Sequence, residues 1–176
     1  MTKIQKYWNE NLVNNQINDT LIKFDDGELF IEKTVSENFL FDDNKIKNAS
    51  FDEDKGFGLR VVKDDSIGFA HSSELTDSAL QSAITAVKNL SPGKNFDFQV
   101  PRKTNEILYE NKNPLILKSF KSKIKLLEEI NAYARNMDKS VKQVSITLAG
   151  NYQTVEIIKQ DFNTFTDSRP LVRLNL

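Results

Sequence analysis

The residues of this 176-residue chain that could do chemistry are few and scattered. His71 is the one histidine, and there is no cysteine. Imidazole is the side chain whose ordinary pKa lies nearest neutrality, so His71 is the obvious acid-base candidate. No nucleophile stands near it in a recognisable order, and a histidine closing a strand-like run usually serves as a surface or hydrogen-bonded structural residue. A hydrolytic zinc site needs three protein ligands and an open position for water, which one histidine and dispersed carboxylates do not supply. Gly56-Phe57-Gly58 invites a phosphate-loop reading, but the third glycine, the helix start and the Lys-Ser or Lys-Thr pair are missing. The two glycines read instead as a bulge or hairpin feature at a strand entrance.

Charged groups divide in the same way. Asp42-Asp43, Asp52-Glu53-Asp54 and Asp64-Asp65 read as turn chemistry and lack the spacing of a calcium loop. Lys118, Lys121, Lys123 and Lys125 spread around a helix and run into Glu128 and Glu129, so they read as a solvated helix face. Asp167, Arg169 and Arg173 differ in kind, because a carboxylate and two guanidinium groups flank Pro170 on the way into a strand. Arginine pairs bidentately with carboxylates, so this group is suited to an internal or interlobe salt bridge or to recognition of a peptide terminus.

The elements that must carry these residues follow from periodicity. Ile4, Trp8, Leu12 and Val13 share a helical stripe over residues 3–17, anchored by Trp8. Residues 21–41 read as β-rich runs, with Asp25-Asp26-Gly27 and Asp42-Asp43-Asn44-Lys45 as turns. Residues 56–62 predict a strand, Lys63-Asp64-Asp65-Ser66 a hairpin turn and residues 67–71 the partner strand. Thr76 caps a predicted helix bearing Leu80, Ala83, Ile84, Val87 and Leu90, which Ser91-Pro92-Gly93 ends. Residues 91–114 hold three of the four prolines and no period, so they predict a linker. A second helix runs from Ser119 or Ser122 to about Met137, with Ile124, Leu127, Ile130, Ala134 and Met137 inward. Val144, Ile146 and Leu148 alternate in a strand, Gly150-Asn151 predicts a turn, Val155 and Ile157 mark the return, Asp161-Phe162-Asn163 turns again, and a last strand carries Val172, Leu174 and Leu176. The fold class is α+β: an antiparallel or mixed β-sheet meander with two main amphipathic helices packed on it plus a short amino-terminal helix. One domain is expected over 1–176, with sub-lobes 1–90 and 115–176 on either side of the linker 91–114.

At 39% hydrophobic and 28% charged residues, the composition is that of a soluble globular protein. A net charge of -1 gives no general attraction to nucleic acid or anionic membrane. The absence of cysteine excludes a disulfide framework. Met1 to Trp8 hold no apolar run of signal-peptide length, and nothing approaches the roughly 20 apolar residues of a membrane helix. The expected compartment is the cytoplasm, with neither nucleic acid nor membrane as a partner.

In their order, Gly56-Phe57-Gly58-Leu59-Arg60-Val61-Val62, Ile67-Gly68-Phe69-Ala70, Leu75-Thr76-Asp77-Ser78-Ala79-Leu80 and Asp167-Ser168-Arg169-Pro170-Leu171-Val172-Arg173-Leu174 carry a family resemblance. The chain resembles the amino-terminal part of the TldD proteins, the zinc-peptidase members of the TldD/PmbA family, over essentially its whole length. The resemblance implies a cytoplasmic bacterial metallopeptidase, also named a modulator of DNA gyrase, that degrades or processes unfolded peptides. It implies pairing with an inactive TldE/PmbA-like paralogue, or with itself. Zinc in that family sits on a His-Glu-x-x-x-His helix, helped by a cysteine, in a carboxy-terminal domain beyond the stretch represented here. This chain is therefore expected to be scaffold and chamber wall, with no catalytic residue, metal ligand or cofactor of its own, zinc belonging to the full-length protein. Arg60, His71, Asp167, Arg169 and Arg173 are the residues left for contact with substrate or a partner subunit. The alternative is a free-standing, noncatalytic peptide-binding or structural partner module of the PmbA/TldE kind. Surfaces that would face a further domain are expected to expose apolar patches, so light scattering on the purified chain should detect self-association. A clean monomer without dye-binding hydrophobic surface counts against that expectation.

Overall fold

The structure, a computed structural model, describes residues 7–8, 12–89, 108–160 and 163–176. A π-helical turn, Leu12–Ile17, runs into α1 (Asn18–Leu21). Three strands follow, β1 (Asp26–Asp42), β2 (Lys45–Lys63) and β3 (Ser66–Ser72), then helix α2 (Asp77–Lys88). A 3-10 turn, Pro114–Ile116, precedes α3 (Phe120–Met137), β4 (Ser145–Lys159) and β5 (Thr164–Asn175). The strands form one antiparallel sheet in the order β3-β2-β1-β4-β5, the α+β arrangement read from the sequence. Two compact units divide the chain, one of Met1–Lys33, Asp54–Glu110 and Thr154–Asp167, the other of Thr34–Glu53, Asn111–Gln153 and Ser168–Leu176. Each is discontinuous, because the chain crosses between them within β1, β2, β4 and β5. The sequence division into 1–90 and 115–176 is consecutive, and residues 91–107 of its linker lie outside the described residues.

In the first unit, strand alternation sends Leu29 and Ile31 of β1, and Phe57, Leu59 and Val61 of β2, into one buried cluster. Leu80, Ala83, Ile84 and Val87 of α2 close that cluster, joined by Ile17, Leu21 and Trp8. Helix α2 starts where Thr76 is extended, and the Thr76 hydroxyl accepts the Ala79 N–H at 3.3 Å. The Trp8 indole N–H donates to the Thr76 carbonyl at 3.2 Å, and its ring meets Phe57 edge-on with centroids 5.4 Å apart. The β2–β3 turn places Asp64 at φ 52, and the Asp25 carboxylate accepts its N–H at 2.6 Å. Asp26 lies 3.2 Å from Arg60 Nη1 and 3.4 Å from Lys159 Nζ. Burial pushes the Asp26 carboxyl up, but Lys159 and Arg60 together outweigh it and hold its pKa below the ordinary 3.8.

In the second unit, Asp43 and Asn44 both have positive φ (47° and 60°), as a two-residue type I′ hairpin turn requires. Asn131 of α3, 5% exposed, donates to Asn44 Oδ1 at 2.6 Å, and Arg135 Nη2 lies 3.3 Å from Asp43 Oδ1. Phe39, Phe41, Val144, Ile146 and Leu148 bury against Leu127 of α3. Helix α3 begins at Ser119, whose hydroxyl accepts the Ser122 N–H at 3.2 Å. The Lys123 ammonium donates at 2.6 Å to both Glu37 Oε2 and the Leu115 carbonyl, with the two charged side chains 11% and 10% exposed. A Cβ on Gly150 would run into Leu115, so the strand keeps a glycine beneath the 3-10 turn.

Several local expectations give way to strand pairing. Leu21 closes α1 and does not open a strand. Asp25-Asp26-Gly27 leads into β1, and the two β-rich runs are one 17-residue strand. Asp52-Glu53-Asp54, Gly56 and Gly58 lie inside β2, and Gly150-Asn151 inside β4. Turn-forming residues stay extended where neighbouring strands satisfy their backbone groups, so pairing overrides local preference. Met137 is 71% exposed, and Lys123 is half-buried, its ammonium engaged by Glu37 and the Leu115 carbonyl instead of facing solvent. The helical run reaches Leu21 because Ile17 and Leu21, one turn apart, are both fully buried. Residues 3–6 and 9–11 of the expected first helix, Leu90, Ser91-Pro92-Gly93 and Asp161-Phe162 lie outside the described residues.

Lys123 and Glu37 are partly buried, and K123M would leave the Glu37 carboxylate without its partner, so it should destabilise the chain by about 1–2 kcal/mol in urea unfolding. The double variant E37L/K123M should recover most of that loss. A depressed carboxyl contributes stability above its unfolded pKa that is lost as pH falls through the lower folded value. D26N should therefore flatten the acid limb of stability below about pH 4, by less than about 1 kcal/mol because Asp26 is partly exposed.

Candidate functional site

The pleat that buries Leu29, Ile31, Leu59 and Val61 turns their neighbours to the opposite face of the first unit's strands. The register pairs Arg60 with Phe69 and Gly58 with His71. A Cβ on Gly58 would stand 3.1 Å from the Phe69 ring, so the missing side chain lets that ring lie over the β2 backbone. Phe69 stacks on His71 with centroids 5.6 Å apart and planes 26° from parallel. Arg60 is held by Asp26 at 3.2 Å. With Glu28 and Phe30 of β1 and Lys55 of β2, these residues line a groove of about 590 Å³. It offers an aromatic shelf, a fixed guanidinium group and carboxylates, a mixture that suits an extended polypeptide better than a single small anion. Ser72 and Ser73 also border the groove, where the Ser72 hydroxyl accepts the Glu74 N–H at 3.0 Å.

Of the five residues singled out from the sequence, Arg60 and His71 share this groove. Arg173 borders a different, polar groove of about 400 Å³ in the second unit, with Asn38, Asp52 and Asn151. Asp167 belongs to the first unit and Arg169 to the second, where Arg169 Nη1 donates to Gln153 Oε1 at 3.4 Å. Sequence reasoning passed over Glu28, Phe30 and Phe69 as site residues. Their signal was the alternation Glu28-Phe30-Glu32 and Phe69-His71, which marks an outward face once the inward face is assigned.

Among the described residues no three or more His, Cys, Asp or Glu side chains come close enough to hold a metal ion. No helix among the described residues is long and apolar enough to cross a membrane.

Residues 27–90 match the family model described as PmbA/TldA metallopeptidase domain 1, and residues 113–176 match the PmbA/TldA metallopeptidase central domain. A metalloprotease TldD homolog of Buchnera aphidicola is 29% identical over 95% of this chain and 37% of its own length. One from Haemophilus influenzae is 32% identical over 86% of this chain and 32% of its own length. The chain thus spans about a third of the length of these curated relatives. Among solved structures, a putative modulator of a DNA gyrase from Thermotoga maritima superimposes with a TM-score of 0.73 at 12% identity, over 94% of this chain and 38% of that one. TldE from Thermococcus kodakarensis gives 0.63 at 18% identity, over 93% and 38%. At those identities the structures speak for the fold, and the two domain models with the curated homologues speak for descent. The chain belongs to the PmbA/TldD metallopeptidase family, within which it matches the first and central domains.

Proposed function

We propose that this chain is the amino-terminal scaffold of a TldD-like zinc metalloprotease that degrades or processes unfolded peptides, forming chamber wall and holding no zinc ligand itself. The observation that carries the reading is the first unit's sheet, sealed on one face by α2 and open on the other as the Arg60–Phe69–His71 groove. A rigid sheet with one covered face presents a fixed surface, and an extended peptide offers alternating side chains to such a surface. Phe30, Phe69 and His71 would take an apolar side chain, Arg60 a carboxylate and Glu28 a cation. Zinc and the cleaving groups would come from the part of the full-length protein that corresponds to the relatives' remaining length. A TldE/PmbA-like paralogue, or a second copy, would complete the chamber in the cytoplasm. Asp167, Arg169 and Arg173 would then serve contacts with substrate or the partner subunit.

A second reading, a free-standing peptide-binding module without catalysis, is favoured by β5, the strand at one end of the sheet order. Its Leu171, Val172 and Leu174 are 57%, 58% and 49% exposed, and an open strand edge can accept an extended peptide as a further strand.

Titration of an unstructured decapeptide into the isotope-labelled chain separates the two. Amide shifts centred on Arg60, Phe69 and His71 are expected for the wall reading, and F69S should weaken that binding about tenfold. Shifts confined to residues 171–174 favour the module, and silence at millimolar peptide removes both. The purified chain is expected to retain no stoichiometric zinc and to cleave nothing, so tight zinc with proteolysis would overturn the scaffold reading.

A further inference from the structure

The polar groove of about 400 Å³ in the second unit draws its lining from four strands, among them Asp52 of β2, Asn38 of β1, Asn151 of β4 and Arg173 of β5. Its third charged group, Glu37, is already committed, because its carboxylate accepts from the Lys123 ammonium at 2.6 Å. Asp52 and Arg173 are exposed, and among the described residues no hydrogen bond or ion pair engages either. They share the groove without meeting, because β1 and β4 lie between β2 and β5. Three strand spacings place their backbones about 14 Å apart across the sheet.

We propose that this groove captures a short peptide of three or four residues with both termini free. The peptide lies across the strands, its ammonium group on Asp52 and its carboxylate on Arg173. Extended, three residues measure about 10 Å and four about 14 Å, which matches the span once the arginine stem reaches inward. A guanidinium group grips a terminal carboxylate bidentately. Between the charges, the amides of Asn38 and Asn151 and the hydroxyls of Ser36 and Ser50 offer donors and acceptors to the peptide main chain. Leu171 supplies one apolar contact, so the groove reads length and ends more than side chains. Other small occupants fit less well. A lone anion would satisfy Arg173 and meet Asp52 as a like charge, a polyamine would do the reverse, and a free amino acid cannot reach both.

This inference takes up the substrate role proposed for Arg173 and is separate from the Arg60–Phe69–His71 groove. Trialanine and tetraalanine titrated into the isotope-labelled 176-residue chain at low salt should shift the amides of Asn38, Ser50, Asn151 and Arg173 together, saturating in the millimolar range. Amidating the carboxy terminus or acetylating the amino terminus should each weaken binding at least about threefold. Dialanine, about 7 Å long, should bind no better than the capped peptides. In R173Q the amide cap should lose its effect while the acetyl cap keeps it, and in D52N the reverse. Both positions are exposed, so both variants should fold, and the cap series on the unaltered chain stands without them. Caps without effect, dialanine equal to trialanine, cap effects unchanged in the variants, shifts confined to residues 171–174, or no shift in this groove would each overturn the inference. Shifts at Arg60, Phe69 and His71 alone would overturn it and leave the scaffold reading standing. Tight zinc with proteolysis by the purified chain would sink the scaffold reading and leave this capture intact.

Discussion

Everything in the first unit depends on the pleat of its strands. Successive side chains of a strand leave on opposite faces, so once Leu29, Ile31, Leu59 and Val61 are committed to α2, the residues between them have no choice. Glu28, Phe30, Arg60, Phe69 and His71 must share the other face, and the β2–β3 register decides which of them touch. A slip of one residue would exchange core for groove, which the buried cluster under α2 forbids. The groove thus follows from core formation, and its lining is set by a glycine under Phe69, a histidine stacked on that ring, and an arginine held by Asp26.

The second unit is specified differently. Its apolar cluster is smaller, and polar groups of high directional demand do much of the positioning. Lys123 reaches Glu37 and the Leu115 carbonyl together, which fixes α3, the 3-10 turn and β1 in one arrangement. Asn131 and Arg135 clasp the β1–β2 turn from the far half of the same helix. Tyr152, Asn111 and Ser168 form a further polar knot, with the Tyr152 hydroxyl donating to Asn111 Oδ1 at 2.7 Å and the Ser168 hydroxyl at 3.0 Å. Such contacts cost more to break than they contribute when formed, because an orphaned buried polar group loses its water without replacement. They favour one geometry over its near neighbours.

Charge tells the same story at the strand edges. Asp52-Glu53-Asp54 reads as a turn by composition, yet it lies mid-strand in β2, where its acidity contrasts with Lys45 and Lys47. An edge strand carrying charge is protected from indiscriminate pairing.

By itself the sequence determined the fold class, the capped start of α2 at Thr76, the start of α3 to within Ser119 or Ser122, the turns at Asp43-Asn44 and Asp64-Asp65, and the family, because each rests on local periodicity, capping or ordered motifs. Arg60 and His71 were legible as residues of interest from their motif strands. Only the tertiary structure decided that Glu28 and Phe30 join them, that Lys123 pairs with Glu37, and that Asp167 falls in a different compact unit from Arg169 and Arg173. The physical reason is distance along the chain. Glu37 and Lys123 are 86 residues apart, and no local rule reports a contact that exists only after strands pair and a helix docks. The same pairing kept Asp26-Gly27, Asp52-Glu53-Asp54 and Gly150-Asn151 extended, since a neighbouring strand supplies the hydrogen bonds that a turn would otherwise provide.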